Sequence, residues 1–303
     1  MLFSGGSRGR GIDVTTRAGG IVAVHAHPDD ESITMGATLA RYAAIGVPVT
    51  LVTATLGEQG ELMYGRCGGL DADHADQLGG YRLAELERAC RAMGIGDRRM
   101  LGGLGCFRDS GMAGEPSAAH PRAFIGAQTG GPRHGEAVAA LAHVLDELRP
   151  RAVLSYDATG GYGHPDHIAA HDVTVAAFAH YVARAVPACR LLEVVRPRAA
   201  VRDALERLWA GPLPEVFERP ALDELGTLVG EAEWDIGIPV GPWAAARRAA
   251  MAAHATQLTV WAGSVDGFAL TNLKAQPLLP VEYFRMLSGP PVPPGATDLM
   301  AGM

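Results

Sequence analysis

The fold is decided by the stretch IVAVHAHPDDE, which spans residues 21–31. Its first five residues, Ile21–His25, form a short apolar run that predicts a buried strand. The next six residues hold a second histidine, three carboxylates and Pro28, which stiffens the turn. Open α/β sheets bind ligands outside the carboxyl ends of their strands. The stretch therefore predicts both a parallel sheet and a ligand site at its edge.

Downstream of this stretch, short apolar runs alternate with longer helical stretches, which is the pattern of βαβ units. Further strands are predicted at Val47–Thr55, Arg99–Leu101 and Ala152–Tyr156. Helices are predicted at Met35–Ile45, Asp73–Met93, Glu136–Leu148, Asp166–Ala185, Arg198–Trp209, Ala221–Val229 and Pro242–Gln257. The predicted fold class is α/β, with a Rossmann-like, mostly parallel sheet and helices on both faces.

The chain divides into three predicted parts. Residues 1–20 are rich in Gly, Ser and Arg, and we expect a flexible leader there. Residues 21–186 carry the regular pattern and are expected to form a Rossmann-like catalytic domain. Residues 187–303 are less regular, and we expect a smaller C-terminal subdomain, α/β or α, that completes the substrate pocket.

Composition and charge narrow the function classes. The 303 residues are 48% hydrophobic, which supports a substantial core and argues against disorder. A net charge of −7 without a long basic run argues against nucleic acid and anionic membranes as partners. No uninterrupted apolar run reaches the length of a membrane span. We expect a reduced, cytoplasmic protein that binds a small molecule, while its oligomeric state stays open.

A second polar cluster follows the predicted strand Ala152–Tyr156 and has the sequence YGHPDH, residues 162–167. Two His-Pro-Asp turns at strand ends are expected to converge on one point. His27 and Asp30 offer a nitrogen and an oxygen ligand, and His167 is the natural third ligand. Two histidines and one carboxylate leave a fourth position open on zinc, as catalytic sites do, and Fe²⁺ is the alternative ion. For Asp29–Glu31, simple capping of the following helix is the competing interpretation.

The remaining groups can be assigned from chemistry. Asp29, next to the ligand Asp30, is placed to act as the base that accepts a proton from water. His164 is expected to act as proton donor or oxyanion stabiliser, and Asp166 to orient it and hold it protonated. Tyr162 would offer its hydroxyl to the developing oxyanion.

Together, AHPDDE at residues 26–31 and GHPDH at residues 163–167 closely resemble the zinc-dependent LmbE/PIG-L deacetylases. Within that family the chain resembles the branch that deacetylates N-acetylglucosaminyl-inositol in mycothiol biosynthesis. The motifs that carry this narrower resemblance are GEQGE (57–61), HADQLGGYR (74–82), RDSGMAG (108–114) and HATQ (254–257). The resemblance covers residues 21–185 well and the last third only in patches.

The resemblance implies roles for individual residues. It makes His27, Asp30 and His167 the zinc ligands and Asp29 the base, with His164 and Tyr162 stabilising the tetrahedral intermediate. It also implies that four further side chains contact the sugar and inositol: Arg82, Asp109, Met112 and Glu61. His254, within a matched motif, is expected to shape the pocket wall.

Several alternatives remain open at this stage. A mycothiol S-conjugate amidase is one, although such amidases carry a lysine shortly after the acidic motif, where this chain has Ser32–Met35. A second alternative is another LmbE-like amino-sugar deacetylase. A non-haem iron oxygenase would use the same ligand set, but the parallel-sheet pattern and the spare Asp29 argue against it. A non-catalytic nucleotide-binding module lacks the expected glycine fingerprint after the first strand.

Overall fold

The computed structural model describes residues 19–65, 67–184, 188–263 and 265–303, so nearly all of the predicted leader lies outside the described residues. The strands of this described chain are β1 (Ile21–His25), β2 (Val49–Thr53), β3 (Asp97–Met100), β4 (Ala152–Ser155), β5 (Arg190–Val195), β6 (Ile236–Pro239), β7 (Leu258–Trp261), β8 (Gly267–Leu270), β9 (Ala275–Pro277) and β10 (Val281–Ser288). The helices are α1 (Asp30–Ala44), α2 (Leu78–Met93), α3 (His134–Leu148), α4 (Pro165–Val182), α5 (Arg198–Ala210) and α6 (Ala244–Ala253).

Seven strands form the main sheet in the order β3-β2-β1-β4-β5-β10-β6. The first five run parallel, while β10 runs antiparallel to both β5 and β6. The strand order reverses between β1 and β4, which are direct neighbours. The carboxyl ends of these two strands therefore open onto the crevice where such sheets bind ligands.

Helices cover both faces of this sheet, since the central strands β1, β2 and β4 are buried on both sides. One buried cluster joins Val22 and Val24 of β1 to α3 and α4, with Leu141 and Phe178 among its members. The other joins the alternate residues of β1, including Ala23, to α1, α2 and α6. This arrangement confirms the predicted α/β class and the coverage of both faces.

The last third of the chain contains more strand than the sequence predicts. Strands β5, β6 and β10 extend the main sheet, and β7, β8 and β9 form a separate antiparallel sheet. The helix predicted at Ala221–Val229 is wrong, since only a 3₁₀ turn forms at Leu222–Leu225 before Gly226 takes a φ of +83°. The division at residues 186/187 stays a prediction, although the main sheet continues across it. Among the described helices, none is both long and apolar enough to cross a membrane.

Arg190, the first residue of β5, is fully buried and holds the end of the described chain. Its guanidinium donates hydrogen bonds to four backbone carbonyl oxygens, at distances of 2.6–2.9 Å. The acceptors are the carbonyls of Pro290, Pro291, Leu299 and Ala301. Because buried polar groups need partners, this cation and the 290–301 segment stabilise one another.

We expect Arg190→Met to lower the free energy of unfolding by about 3 kcal/mol or more, since four carbonyls lose a charged donor. Chemical denaturation measures this change. Arg202→Met, at an exposed arginine of α5, is the control and should stay within about 0.5 kcal/mol of wild type. Equal stability of the two variants would contradict the anchoring role.

Candidate active site

Two turns build the candidate site, one after β1 and one leading into α4. His27 lies in the first turn and Asp30 begins α1, while His167 lies in the first turn of α4. Because β1 and β4 are adjacent in the sheet, the two turns face each other across the switch point. All three side chains are buried. The structure thus brings together the three residues predicted as metal ligands.

The donor atoms of these three residues form a tight triangle. His27 Nδ1 lies 3.5 Å from Asp30 Oδ2, and His167 Nε2 lies 3.3 Å from Asp30 Oδ1 and 3.3 Å from His27 Nδ1. Tetrahedral zinc binds nitrogen and oxygen at about 2.0–2.2 Å, which places neighbouring donors about 3.3–3.5 Å apart. The two ring nitrogens have this spacing, and each lies at a similar distance from a different oxygen of the Asp30 carboxylate. The arrangement therefore fits a divalent ion bound by two imidazoles and one carboxylate.

The hydrogen bonds of the His27 and His167 imidazoles leave one ring nitrogen of each available to bind a metal ion. His167 Nδ1 lies 3.0 Å from the Gly160 carbonyl oxygen, an acceptor, so Nδ1 carries the proton and Nε2 keeps its lone pair. On His27, Nε2 faces two acceptors outside the triangle, namely Asp166 Oδ2 at 3.3 Å and Asp109 Oδ1 at 3.5 Å. A proton on Nε2 leaves Nδ1, which faces Asp30 and His167, to bind metal. Carboxylates behind a metal-binding histidine fix its tautomer and orientation.

The Asp166 carboxylate does not orient His164, which corrects the sequence-based expectation. Its Oδ2 contacts His27 and accepts a hydrogen bond from the Ser110 backbone N–H. Only the Asp166 backbone N–H reaches His164, donating to Nδ1 at 3.1 Å. This bond requires an unprotonated Nδ1, so His164 is neutral and carries its proton on Nε2. Burial, with His27 and His167 nearby, lowers the pKa of His164 to about 3, which agrees.

Asp29 adopts a backbone conformation that few non-glycine residues adopt, with a φ of +117°. Its side chain makes no capping hydrogen bond to α1, so capping does not explain this residue. Its carboxylate Oδ2 accepts a hydrogen bond from Arg82 at 3.1 Å. Burial raises the pKa of Asp29 to about 6, although the Arg82 guanidinium opposes that shift.

Tyr162 lies at the mouth of the cluster, with about half of its surface exposed. Its ring centroid is 5.0 Å from that of His167 and 6.0 Å from that of His164. The turn before it contains Gly160 and Gly161, both with positive φ. Tyr162 is therefore open to a ligand, unlike the buried His27, Asp30 and His167.

The four residues predicted to contact the substrate differ in how exposed they are. Met112 and Glu61 are exposed, whereas Arg82 and Asp109 are each only 3% exposed. Asp109 accepts backbone hydrogen bonds from Gly111 and Gln59 in addition to facing His27. Arg82 and Asp109 thus contact protein groups around the metal triangle. The resemblance instead implies that they contact the sugar and the inositol of the substrate.

Sequence reasoning missed Tyr156, which directly follows β4. Its hydroxyl donates to Asp30 Oδ2 at 2.6 Å and accepts the Ala26 backbone N–H at 2.8 Å. Its ring stacks on His167 with a centroid distance of 4.2 Å. Tyr156 therefore contacts two of the three metal-triangle residues. The only sequence signal was its position at a strand end beside the glycine-rich turn.

His254 is fully buried, and its expected role in shaping the pocket wall stays a prediction. Its Nε2 lies 2.8 Å from Glu31 Oε1, and Glu31 Oε2 accepts the Asp29 backbone N–H at 2.9 Å. This chain of contacts connects the segment after α6 to the turn that carries Asp29. Only the matched motif at residues 254–257 indicated that this segment is involved.

Comparison with known proteins gives concordant matches. The family model that matches residues 22–178 is described as PIG-L, GlcNAc-PI de-N-acetylase. Two curated relatives are both named 1D-myo-inositol 2-acetamido-2-deoxy-alpha-D-glucopyranoside deacetylase. The one from Nakamurella multipartita is 52% identical over 288 residues, covering 93% of this chain and 96% of the relative. The one from Nocardia farcinica is 48% identical over 301 residues, covering 96% and 98%.

Among solved structures, the chain is similar to the 4-carboxy-2-hydroxymuconate hydratase GalB of Pseudomonas putida, with a TM-score of 0.54. The match covers 91% of this chain and 98% of the hydratase at 16% sequence identity. At this identity the similarity shows a shared fold and leaves the chemistry to the site residues.

We expect Tyr156→Phe to weaken divalent metal binding by about 10–100-fold, the usual effect of losing a group that orients a metal ligand. The hydroxyl that holds Asp30 is removed, while the ring that stacks on His167 remains. Competition with a chelator measures the affinity. Tyr181→Phe, a buried tyrosine on α4 in the apolar cluster, is the matched control. Wild-type affinity in Tyr156→Phe would contradict the prediction.

Proposed function

The chain belongs to the PIG-L family of deacetylases, and from this premise we propose that it hydrolyses the N-acetyl group of an N-acetylglucosaminyl-inositol, as in mycothiol biosynthesis. Water attacks the amide carbonyl carbon, the C–N bond breaks, and acetate and a free amine leave. The observation that carries the proposal is the buried His27, Asp30 and His167 triangle directly beside Asp29. The names of the two relatives support the substrate.

We propose that His27 Nδ1, Asp30 and His167 Nε2 hold zinc, with Fe²⁺ as an alternative that the same donors accept. When bound, the ion supplies Lewis acidity that polarises the amide carbonyl and makes water a better nucleophile. Asp109 and Asp166 contact Nε2 of the His27 imidazole and orient its ring, and the Tyr156 hydroxyl donates a hydrogen bond to Asp30.

Asp29 acts as general base in this proposal. Its carboxylate accepts a proton as water attacks the carbonyl carbon, then returns a proton to the departing nitrogen. A buried carboxyl with a raised pKa suits such a shuttle, because it can both take and release the proton near neutral pH. Arg82 donates a hydrogen bond to the same carboxylate.

His164 and Tyr162 would stabilise the oxygen that becomes negative in the tetrahedral intermediate. Since Nδ1 of His164 accepts a backbone N–H, its Nε2–H is the free donor. A neutral imidazole is a hydrogen-bond donor rather than a source of a whole proton. This tautomer therefore favours the oxyanion-stabilising role and leaves proton delivery to Asp29.

The competing hypotheses are favoured less. A mycothiol S-conjugate amidase and other amino-sugar deacetylases share the chemistry and differ in the substrate's distal part. An oxygenase or a nucleotide-binding module does not accord with membership of a hydrolase family. For partners, we propose a small amino-sugar substrate and neither nucleic acid nor membrane.

The deciding experiment offers the purified protein three substrates and measures released primary amine. The three are N-acetylglucosaminyl-inositol, plain N-acetylglucosamine and a mycothiol conjugate. We expect the highest kcat/KM with N-acetylglucosaminyl-inositol. Amine release chiefly from the conjugate would favour the amidase, and no release from any of the three would refute the proposed function.

His27→Ala and His167→Ala should each lose bound metal and activity together, because each removes one of three protein ligands. Metal analysis by mass spectrometry and the amine assay check the two losses. His143→Ala, at an exposed histidine of α3, should retain both. Full metal occupancy in the two ligand variants would refute the ligand assignment.

Asp29→Asn should retain metal but lower kcat by about 10²–10⁴-fold, the range for removal of a positioned general base. The amide has nearly the same size and cannot accept the proton. Asp203→Asn, on the exposed side of α5, is the matched control. Near-normal turnover of the Asp29 variant would eliminate Asp29 as the base.

A further inference from the structure

Arg82 contacts the turn that carries Asp29 and is almost fully buried beneath it. We propose that Arg82 is a positioning residue that holds the Asp29 carboxylate and backbone in place for catalysis. The inference rests on the proposed function, because it takes Asp29 as the base.

The conformation of Asp29 requires an external restraint. A non-glycine residue with a φ of +117° lies outside the ordinary left-handed region and is energetically unfavourable. Such a residue persists only where the surrounding structure over-determines it. The groups that contact Pro28 and Asp29 therefore decide where the carboxylate points.

The Arg82 guanidinium supplies such contacts from α2. Its Nη2 donates to the Pro28 carbonyl oxygen at 2.6 Å and to Asp29 Oδ2 at 3.1 Å. One nitrogen thereby binds both the backbone before Asp29 and its carboxylate. Its Nη1 donates to the Gly57 carbonyl oxygen at 2.7 Å, which fixes the plane of the guanidinium.

The loop after β2 is shaped around this guanidinium. A Cβ atom on Gly57 would overlap Nη1 of Arg82, and one on Gly60 would lie 2.5 Å from the same atom. Gly57 also has a φ of +68°, which glycine adopts without strain. Glycine at both positions therefore allows the loop to lie close to the Arg82 guanidinium. This accounts for the two glycines of the GEQG segment at residues 57–60.

A second side chain restrains the same peptide group at its N–H. Glu31 accepts the Asp29 backbone N–H at 2.9 Å and is held in turn by His254 at 2.8 Å. Arg82 and Glu31 therefore hold the carbonyl oxygen and the N–H of one peptide group, which joins Pro28 to Asp29. Of Arg82 and Glu31, only Arg82 also contacts the Asp29 carboxylate.

The hydrogen bonds that the structure gives Arg82 go to protein oxygens on the turn after β1 and the loop after β2. The side chain is 4% exposed, and its Nε–H is buried without a hydrogen-bond partner. The bonded N–H groups thus hold protein groups, whereas the family resemblance implies a substrate contact.

The test compares Arg82→Lys and Arg82→Ala with Arg91→Ala, an exposed arginine on the same helix. For both Arg82 variants we expect kcat to fall by about 10–100-fold, as expected when a catalytic group is displaced by a fraction of an ångström to 1 Å. The factor should be equal for N-acetylglucosaminyl-inositol and plain N-acetylglucosamine, with KM and metal content near wild type. Arg91→Ala should match wild type throughout.

Chemical rescue provides a readout that a general loss of structure would not give. Guanidinium ion at low millimolar concentration should restore part of kcat in Arg82→Ala, because it can occupy the vacated site beside Asp29. It should not raise the activity of Arg91→Ala or Asp29→Asn. If Arg82→Ala proves too unstable to purify, Arg82→Lys carries the kcat and KM comparison alone.

Three results would overturn the inference. A rise in KM confined to the inositol substrate, with kcat unchanged, would make Arg82 a substrate contact. Loss of metal in both Arg82 variants would make it a general support of the site. Full activity of Arg82→Lys and Arg82→Ala would remove any role. Failure of the proposed function would be recognised separately, because wild type itself would then release no amine.

Discussion

The adjacency of β1 and β4 is the constraint on which the site depends. Each parallel strand delivers its following turn to the same edge of the sheet, and the reversal of strand order at this pair leaves a crevice between the turns. His27 and His167 are 140 residues apart in the chain, yet their ring nitrogens lie 3.3 Å apart. No local motif could bring them together without the register in which Ile21 pairs with Ala152.

The buried charges of the site are arranged so that each carboxylate has a specific partner. Asp30 faces the two imidazoles, Asp109 and Asp166 face His27, and Asp29 faces Arg82. Unpaired charges in such surroundings would be strongly destabilising. The site is therefore one connected network, in which a change at one position alters the orientation of its neighbours.

The metal ligands could be predicted from the sequence because each lies in or just after a His-Pro-Asp turn that follows a predicted strand. Neighbouring parallel strands bring such turns to one edge of the sheet, so the convergence of His27, Asp30 and His167 could be expected. Arg82 could not be placed in this way, because helical periodicity does not tell which charged residue faces a glycine-lined loop. Asp166 was misassigned for a related reason: neighbours in sequence, such as Asp166 and His164, need not direct their side chains at each other. Strand β10 was missed because its pairing with β5 joins segments about 90 residues apart.

The anchoring of Arg190 has a consequence for how the chain acquires its structure during synthesis. The carbonyls that satisfy this buried cation belong to residues made 100–111 positions after it. Until those residues leave the ribosome, β5 can join the sheet only with a charged group that lacks its partners. Burial of this edge of β5 is thereby delayed until nearly all of residues 190–301 have been made, whereas β1, β2 and β3 can pair much earlier. The half of the sheet that carries His27 and Asp30 can then form before β5, β10 and β6 extend it.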